Sequence, residues 1–120
     1  MATVRVLIVD DDQTVLEILA AYLDRNGGYE TVTTSDPKKA LEIVQNNTID
    51  LLIADIMMPD LLGPKLFDEV KKVSPRTACI FISGYGEEIY NLPPDVLFLK
   101  KPISAAAFFS TIEKVLGQSV

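Results

Sequence analysis

The sequence predicts an α/β protein, a parallel sheet with helices packed on both faces, and two observations carry that expectation. Short, nearly continuous apolar runs, as in strands covered on both sides, alternate with segments whose apolar residues recur every three or four positions, as on one face of a helix. Carboxylates then gather where the apolar runs end, as in "VLIVDDD" and "LLIADIMMPDLLG". A buried strand admits charge only where it emerges, and in an open α/β sheet ligands bind outside the carboxyl ends of the strands.

The elements follow in order. "VRVLIV" (Val4 to Val9) reads as a buried strand, and Asp12 as the cap of a helix beginning near Gln13 with Val15, Leu19 and Leu23 on its inner face. "YETVTT" (Tyr29 to Thr34) is less apolar and suits an edge strand. Asp36-Pro37 marks the next helix start, a cap followed by proline at the first helical position, and Leu41 and Val44 give that helix its inner face. "LLIA" (Leu51 to Ala54) is the third strand, ending at Asp55. Gly63-Pro64 opens a helix carrying Leu66, Val70 and Val73, and "ACIFIS" (Ala78 to Ser83) is the fourth strand. The fourth helical segment, "GEEIYNLPPD", is short and broken by Pro93 and Pro94, leaving one or two turns. "VLFL" (Val96 to Leu99) is the fifth strand, and Phe108, Ile112 and Val115 mark the last helix, with a frayed tail from Gly117. Strands alternating with helices are joined by right-handed crossovers. No linker, repeat or low-complexity tract interrupts residues 1–120, so one domain is expected.

Composition excludes several function classes. With 120 residues, 48% of them hydrophobic, the chain has enough for one core and too little for two. A formal net charge of -6 argues against a nucleic-acid-binding surface, which needs a basic patch. The sole cysteine, Cys79, lies in an apolar run and reads as a buried core thiol, not part of a disulfide framework. No apolar run approaches the roughly 20 residues that span a bilayer, and the start "MATVRVLIVDDD" lacks the pattern of a signal peptide, so the cytoplasm is expected. The absence of histidine excludes a Ser-His-Asp triad, imidazole metal sites and a phosphohistidine donor within the chain.

What remains is carboxylate, hydroxyl and lysine chemistry at one edge. Asp10, Asp11 and Asp12 follow the first strand, Asp55 ends the third, Ser83 ends the fourth and Lys101 follows the fifth. Taken singly, each has a plainer reading: a helix cap, a turn serine, a loop lysine before Pro102. Taken together in that order, they converge if the strands are parallel neighbours. Two carboxylates about 4 Å apart repel by about 4 kcal/mol at an effective dielectric near 20, so a cluster calls for a cation or a proton. Oxygen ligands without histidine or thiolate favour Mg2+ or Mn2+, commonly shared with a phosphate oxygen. A carboxylate can itself be the nucleophile, forming an aspartyl phosphate while a cation and a lysine neutralise the developing charge.

The motifs "VLIVDDD", "DLLIADIMMPDLLG", "IFISGYG" and "FLKKPIS" together make the chain resemble a response-regulator receiver domain over nearly its whole length. The resemblance implies a doubly wound five-stranded parallel sheet, order 2-1-3-4-5, that accepts a phosphoryl group from the phosphohistidine of a sensor histidine kinase or a histidine phosphotransfer domain. By position it makes Asp55 the phosphoacceptor. Asp11, Asp55 and the backbone carbonyl of Met57 would bind Mg2+, and Asp10 would act through water. Ser83 and Lys101 would contact the phosphoryl oxygens, while Lys100, one place early, would face away. Phe98 falls at the family's switch aromatic: phosphate draws Ser83 toward Asp55 and Phe98 rotates into the vacated space. Met57 and Tyr85 would flank the phosphoryl, and neither offers a group to orient attacking water, which implies slow dephosphorylation.

The run "SGYGEEIYNLPPDVLFLKKPIS" is short between Ser83 and Phe98 and resembles receivers attached to hybrid sensor histidine kinases. It implies a shortened fourth helix and puts in question the dimer face commonly built on it. The alternative reading is a receiver-like interaction module that works without phosphorylation, which would usually have lost an acidic or lysine position. A flavodoxin-like carrier is disfavoured because "DDDQT" would repel a flavin phosphate. A haloacid-dehalogenase-type phosphatase needs an aspartate two residues after its nucleophile, where this chain has Met57.

Overall fold

The computed structural model describes residues 3–58, 63–84 and 97–117. The elements run β1 (Val4–Val9), α1 (Gln13–Asn26), β2 (Tyr29–Thr34), α2 (Pro37–Asn46), β3 (Leu51–Asp55), α3 (Gly63–Val73), β4 (Ala78–Ser83), β5 (Leu97–Lys100) and α4 (Ala105–Gly117). The five strands form one parallel sheet, as their alternation with helices predicts, in the order β2-β1-β3-β4-β5 that the resemblance implies. The expected fourth helical segment, between β4 and β5, lies outside the described residues, as do Val96 and Tyr85.

Local signals account for the boundaries. Asp12 caps α1 by accepting the Thr14 amide at 3.0 Å, and Asp36 caps α2 by accepting the Lys38 amide at 2.9 Å, with Pro37 in the first turn. Gly27 and Gly28, at φ 78° and 86°, take the chain from α1 into β2 through backbone conformations that side chains rarely adopt. β3 reaches one residue past its apolar run, to Asp55, and β5 reaches Lys100, because ladder bonding continues to the point where the strands part.

The sheet divides the interior in two, since successive side chains on a strand point to opposite faces. Leu7, Val9, Leu52, Ala54 and Phe81 pack under α2 and α3 with Ala40, Val44, Leu66, Phe67 and Val70. Val6, Ile8, Leu51, Ile53, Ile80 and Ile82 pack under α1 and α4 with Leu16, Leu19, Leu23, Phe108 and Ile112. Cys79 is buried in the first of these clusters, as expected. Val73 departs from expectation: it is 49% exposed although it continues the spacing of Leu66 and Val70. It is the last residue of α3, where the chain turns away through Ser74, so its face is right but no layer lies beneath it.

Register brings the carboxyl ends level. Val9 pairs with Thr34 and Ala54, Asp55 with Ile82, and Ser83 with Lys100. Among the described residues no helix is long and apolar enough to cross a membrane.

Candidate functional site

At the carboxyl edge, backbone bonds carry the strand ladder one step into the loops. The Asp10 amide donates to the Thr34 carbonyl (3.3 Å), Ile56 to Ile82 (2.9 Å) and Lys101 to Ser83 (2.7 Å). Asp10 and Asp55, which leave the sheet here, inherit the rigidity of its central strands. Asp55 is 6% exposed, and its carboxylate is held by two donors: the Met57 amide at 3.2 Å on Oδ1 and Lys101 Nζ at 3.1 Å on Oδ2. Lys101 Nζ also stands 3.0 Å from Asp10 Oδ2, so one ammonium bridges two buried carboxylates. Lys100, its neighbour, is exposed, as alternation along the strand requires.

Asp10 is fully buried. Its Oδ1 accepts the Asp12 amide at 2.9 Å, while among the described residues Oδ2 has the ionic contact with Lys101 and no further partner. Burial pushes Asp10 from the ordinary 3.8 to about 6; the Asp12 amide and Lys101 pull it down, and the Asp55 charge adds to the rise. Burial alone would lower the Lys101 ammonium, but contact with Asp10 and then Asp55 outweighs it and holds Lys101 above its usual range.

Asp11 is exposed, yet it offers a carboxylate oxygen that lies with those of Asp10 and Asp55 within 4.8 Å of one another. Among the described residues, three carboxylates facing one ammonium leave two negative charges uncompensated, and Asp10 Oδ2 accepts no hydrogen bond. An all-oxygen set of this charge fits a hard divalent cation, so the residues present suit a metal site.

The other expected residues lie on, or just after, the strands beside these carboxylates. Ser83 is 1% exposed at the end of β4, and Met57 is 47% exposed beside Asp55. Phe98 is half-buried on β5, opposite Phe81 in register, and packs against the cluster under α2 and α3. Asp12, given the plainer reading of a cap, is that cap.

Two features escaped the sequence reading. Local sequence marks Gly63 only as a helix start, but a Cβ there would run into the Asp55 carbonyl and lie 3.1 Å from Ile56 Cα, while its amide donates to the Ile56 carbonyl at 2.9 Å. Only glycine lets α3 begin directly against the loop after Asp55. The second is a groove of about 460 Å3 beside Lys101, walled by Asp12, Val15, Ile18 and Tyr22 of the α1 side and by Pro102 and Ile103 after β5. Helical spacing placed Val15 inward but gave no sign that Ile18, 44% exposed, faces a cavity.

Comparison with known proteins gives a consistent picture. The family described as response regulator receiver domain matches residues 6–113. The chain is 34% identical over 117 residues to the sensor kinase CckA of Brucella abortus, covering 92% of this chain and 12% of that protein. It is 31% identical over 121 residues to the transcriptional regulatory protein GlrR of Escherichia coli, covering 94% of this chain and 26% of that protein. The chain therefore spans a small part of these curated relatives. The crystal structure of the receiver domain from the hybrid histidine kinase CckA superimposes with a TM-score of 0.77 at 35% identity, over 93% of this chain and 98% of that one.

Proposed function

The chain belongs to the response regulator receiver domain family, and from that premise we propose that Asp55 is the residue that accepts the phosphoryl group. The observation that carries this reading is the placement of Asp55: buried at the end of a central strand, oriented by the Met57 amide and Lys101, and within reach of the Asp10 and Asp11 carboxylates. In the reaction an Asp55 oxygen attacks the phosphorus of a phosphohistidine. A P–O bond forms as the P–N bond breaks, and the imidazole leaves with the electron pair. Two donors on the carboxylate fix its plane before the donor arrives, so little reorganisation is left for the transfer itself. Lys101, already positioned at Asp55, neutralises charge on a phosphoryl oxygen, and Ser83 hydrogen-bonds another.

Asp11, Asp55 and the Met57 carbonyl would hold Mg2+ directly, with Asp10 acting through water. When bound, the ion supplies the remaining neutralisation of the transferred group. The buried, ammonium-facing carboxylate of Asp10 suits an indirect role better than the exposed Asp11 does. Ser83 and Phe98 form the switch pair: the hydroxyl moves toward the phosphoryl, and the half-buried ring fills the space behind it. The kinase or phosphotransfer partner engages the groove between α1 and the loop after β5, which opens beside Lys101. Similarity to a sensor kinase, of which the chain spans 12%, supports a receiver unit over residues 1–120 attached to a kinase and working in the cytoplasm.

Intact-protein mass after incubation with Mg2+ and acetyl phosphate or phosphoramidate tests the reading. One added phosphoryl that requires Mg2+ and is lost in Asp55→Asn is the expected result. No addition across several donors, with beryllofluoride also failing to bind, would instead favour the phosphorylation-independent module.

A further inference from the structure

We propose that Tyr22 is a positioning residue for Lys101, tethering to α1 the segment that carries the lysine; this rests on the reading of Lys101 as the phosphoryl's partner. Lys101 stands just past the end of β5, an edge strand with one bonded neighbour in the described sheet. Its amide is tied to the Ser83 carbonyl. The next residue, Pro102, has no N–H to offer, so the backbone can gain no donor there. One residue further on, the Ile103 carbonyl accepts a hydrogen bond from the Tyr22 hydroxyl at 3.0 Å. Ser104 then starts α4: its Oγ accepts the Ala107 amide at 3.1 Å and its carbonyl accepts the Phe108 amide at 3.0 Å.

Tyr22 is suited to hold rather than merely touch. Its ring packs on Phe108 with centroids 5.8 Å apart, and Phe108 is fully buried under the sheet. The hydroxyl is therefore delivered to Ile103 from a fixed base. Lys101 Nζ lies 3.0 and 3.1 Å from two carboxylates, a fit that a sub-ångström drift of the backbone would spoil at one of them. Tyr22 itself touches neither carboxylate, so it acts through the loop alone.

The variant is Tyr22→Phe, which keeps the ring on Phe108 and removes the tether. Lys101 opposes a cation at the Asp10, Asp11 and Asp55 cluster and assists the phosphoryl transfer, so loosening it moves two readouts in opposite directions. Mg2+ affinity by calorimetry should rise about threefold as the ammonium's competition weakens. Phosphorylation by phosphoramidate at saturating Mg2+ should slow about three- to tenfold, as expected for a displacement below 1 Å. Ile112→Val, a core change that leaves the tether intact, should alter neither. If both readouts stay at wild-type values, or both weaken together, the tether does not position Lys101. A wild-type protein that takes no phosphoryl would overturn the reading of Asp55, and the Mg2+ arm would still decide the tether.

Discussion

Replacing Asp10 by asparagine should make the metal-free protein more stable at pH 8 while weakening its cation site. Burial holds the Asp10 carboxyl at about 6 against an ordinary 3.8. The folded state thus binds this proton more tightly than the unfolded chain does. Between about pH 4 and pH 6 the fold carries more protons than the unfolded state, and stability falls as pH rises through that window, then levels off. At about 1.4 kcal/mol for each tenfold change in proton affinity, ionised Asp10 costs the fold about 3 kcal/mol above pH 6. Asparagine keeps the acceptor for the Asp12 amide and removes the charge, with the pull of Lys101 already included in the value of about 6, but its amide nitrogen would place a donor without an acceptor beside Lys101. The net gain at pH 8 should be about 2 kcal/mol, or roughly 8 °C in Tm for a chain of this size. Urea and thermal unfolding of both proteins in EDTA, at pH 4 and pH 8, measure it. The variants should coincide near pH 4 and diverge by pH 8. Mg2+ at about a hundredfold its Kd should then return about 2.7 kcal/mol to the wild type and much less to the variant. Equal or lower stability of Asp10→Asn at pH 8 would refute the reasoning, because it would mean that Lys101 fully compensates the buried charge.

Three further outcomes follow from the same geometry. On the proposed role of Lys101, Lys101→Met should slow phosphorylation by small donors about a hundredfold or more while tightening Mg2+ binding, the ammonium assisting the phosphoryl and repelling a dication; phosphorylation kinetics and calorimetry check the two halves. Met57→Glu should accelerate hydrolysis of the aspartyl phosphate about tenfold by placing a carboxylate where water can be oriented, and unchanged decay of the phosphorylated mass would sink that idea. Gly63→Ala should cost about 2–3 kcal/mol in denaturant unfolding and also impair phosphorylation, because the clash is with the carbonyl of Asp55 itself.

The strands were legible because burial on both faces writes itself as continuous apolar sequence; β1, β2 and β4 have the bounds their composition suggested. The convergence of Asp10, Asp55, Ser83 and Lys101 was legible for a related reason, since parallel strands of similar length put their carboxyl ends at one level. Spacing alone did not single out Leu16 or Phe67, which are buried because each helix stripe is wider than a strict three-four repeat. Val73 shows the converse, a residue on the correct face at a helix end that nothing covers. The tether from Tyr22 to Ile103 and the close approach at Gly63 join residues far apart or depend on the path of a loop, so no local pattern could announce them.

The separation of the interior into two clusters by the sheet has a consequence for how this site can be retuned. Phe98 packs on the side of α2 and α3, and Tyr22 on the side of α1 and α4. Among the described residues the two belong to separate clusters, with the strands between them. Substitutions on opposite faces should therefore combine additively, with coupling energies within about 0.5 kcal/mol, whereas pairs within one cluster should show epistasis. The chain can accumulate changes on the side of α1 and α4 without disturbing the packing in which Phe98 sits, and the reverse holds as well.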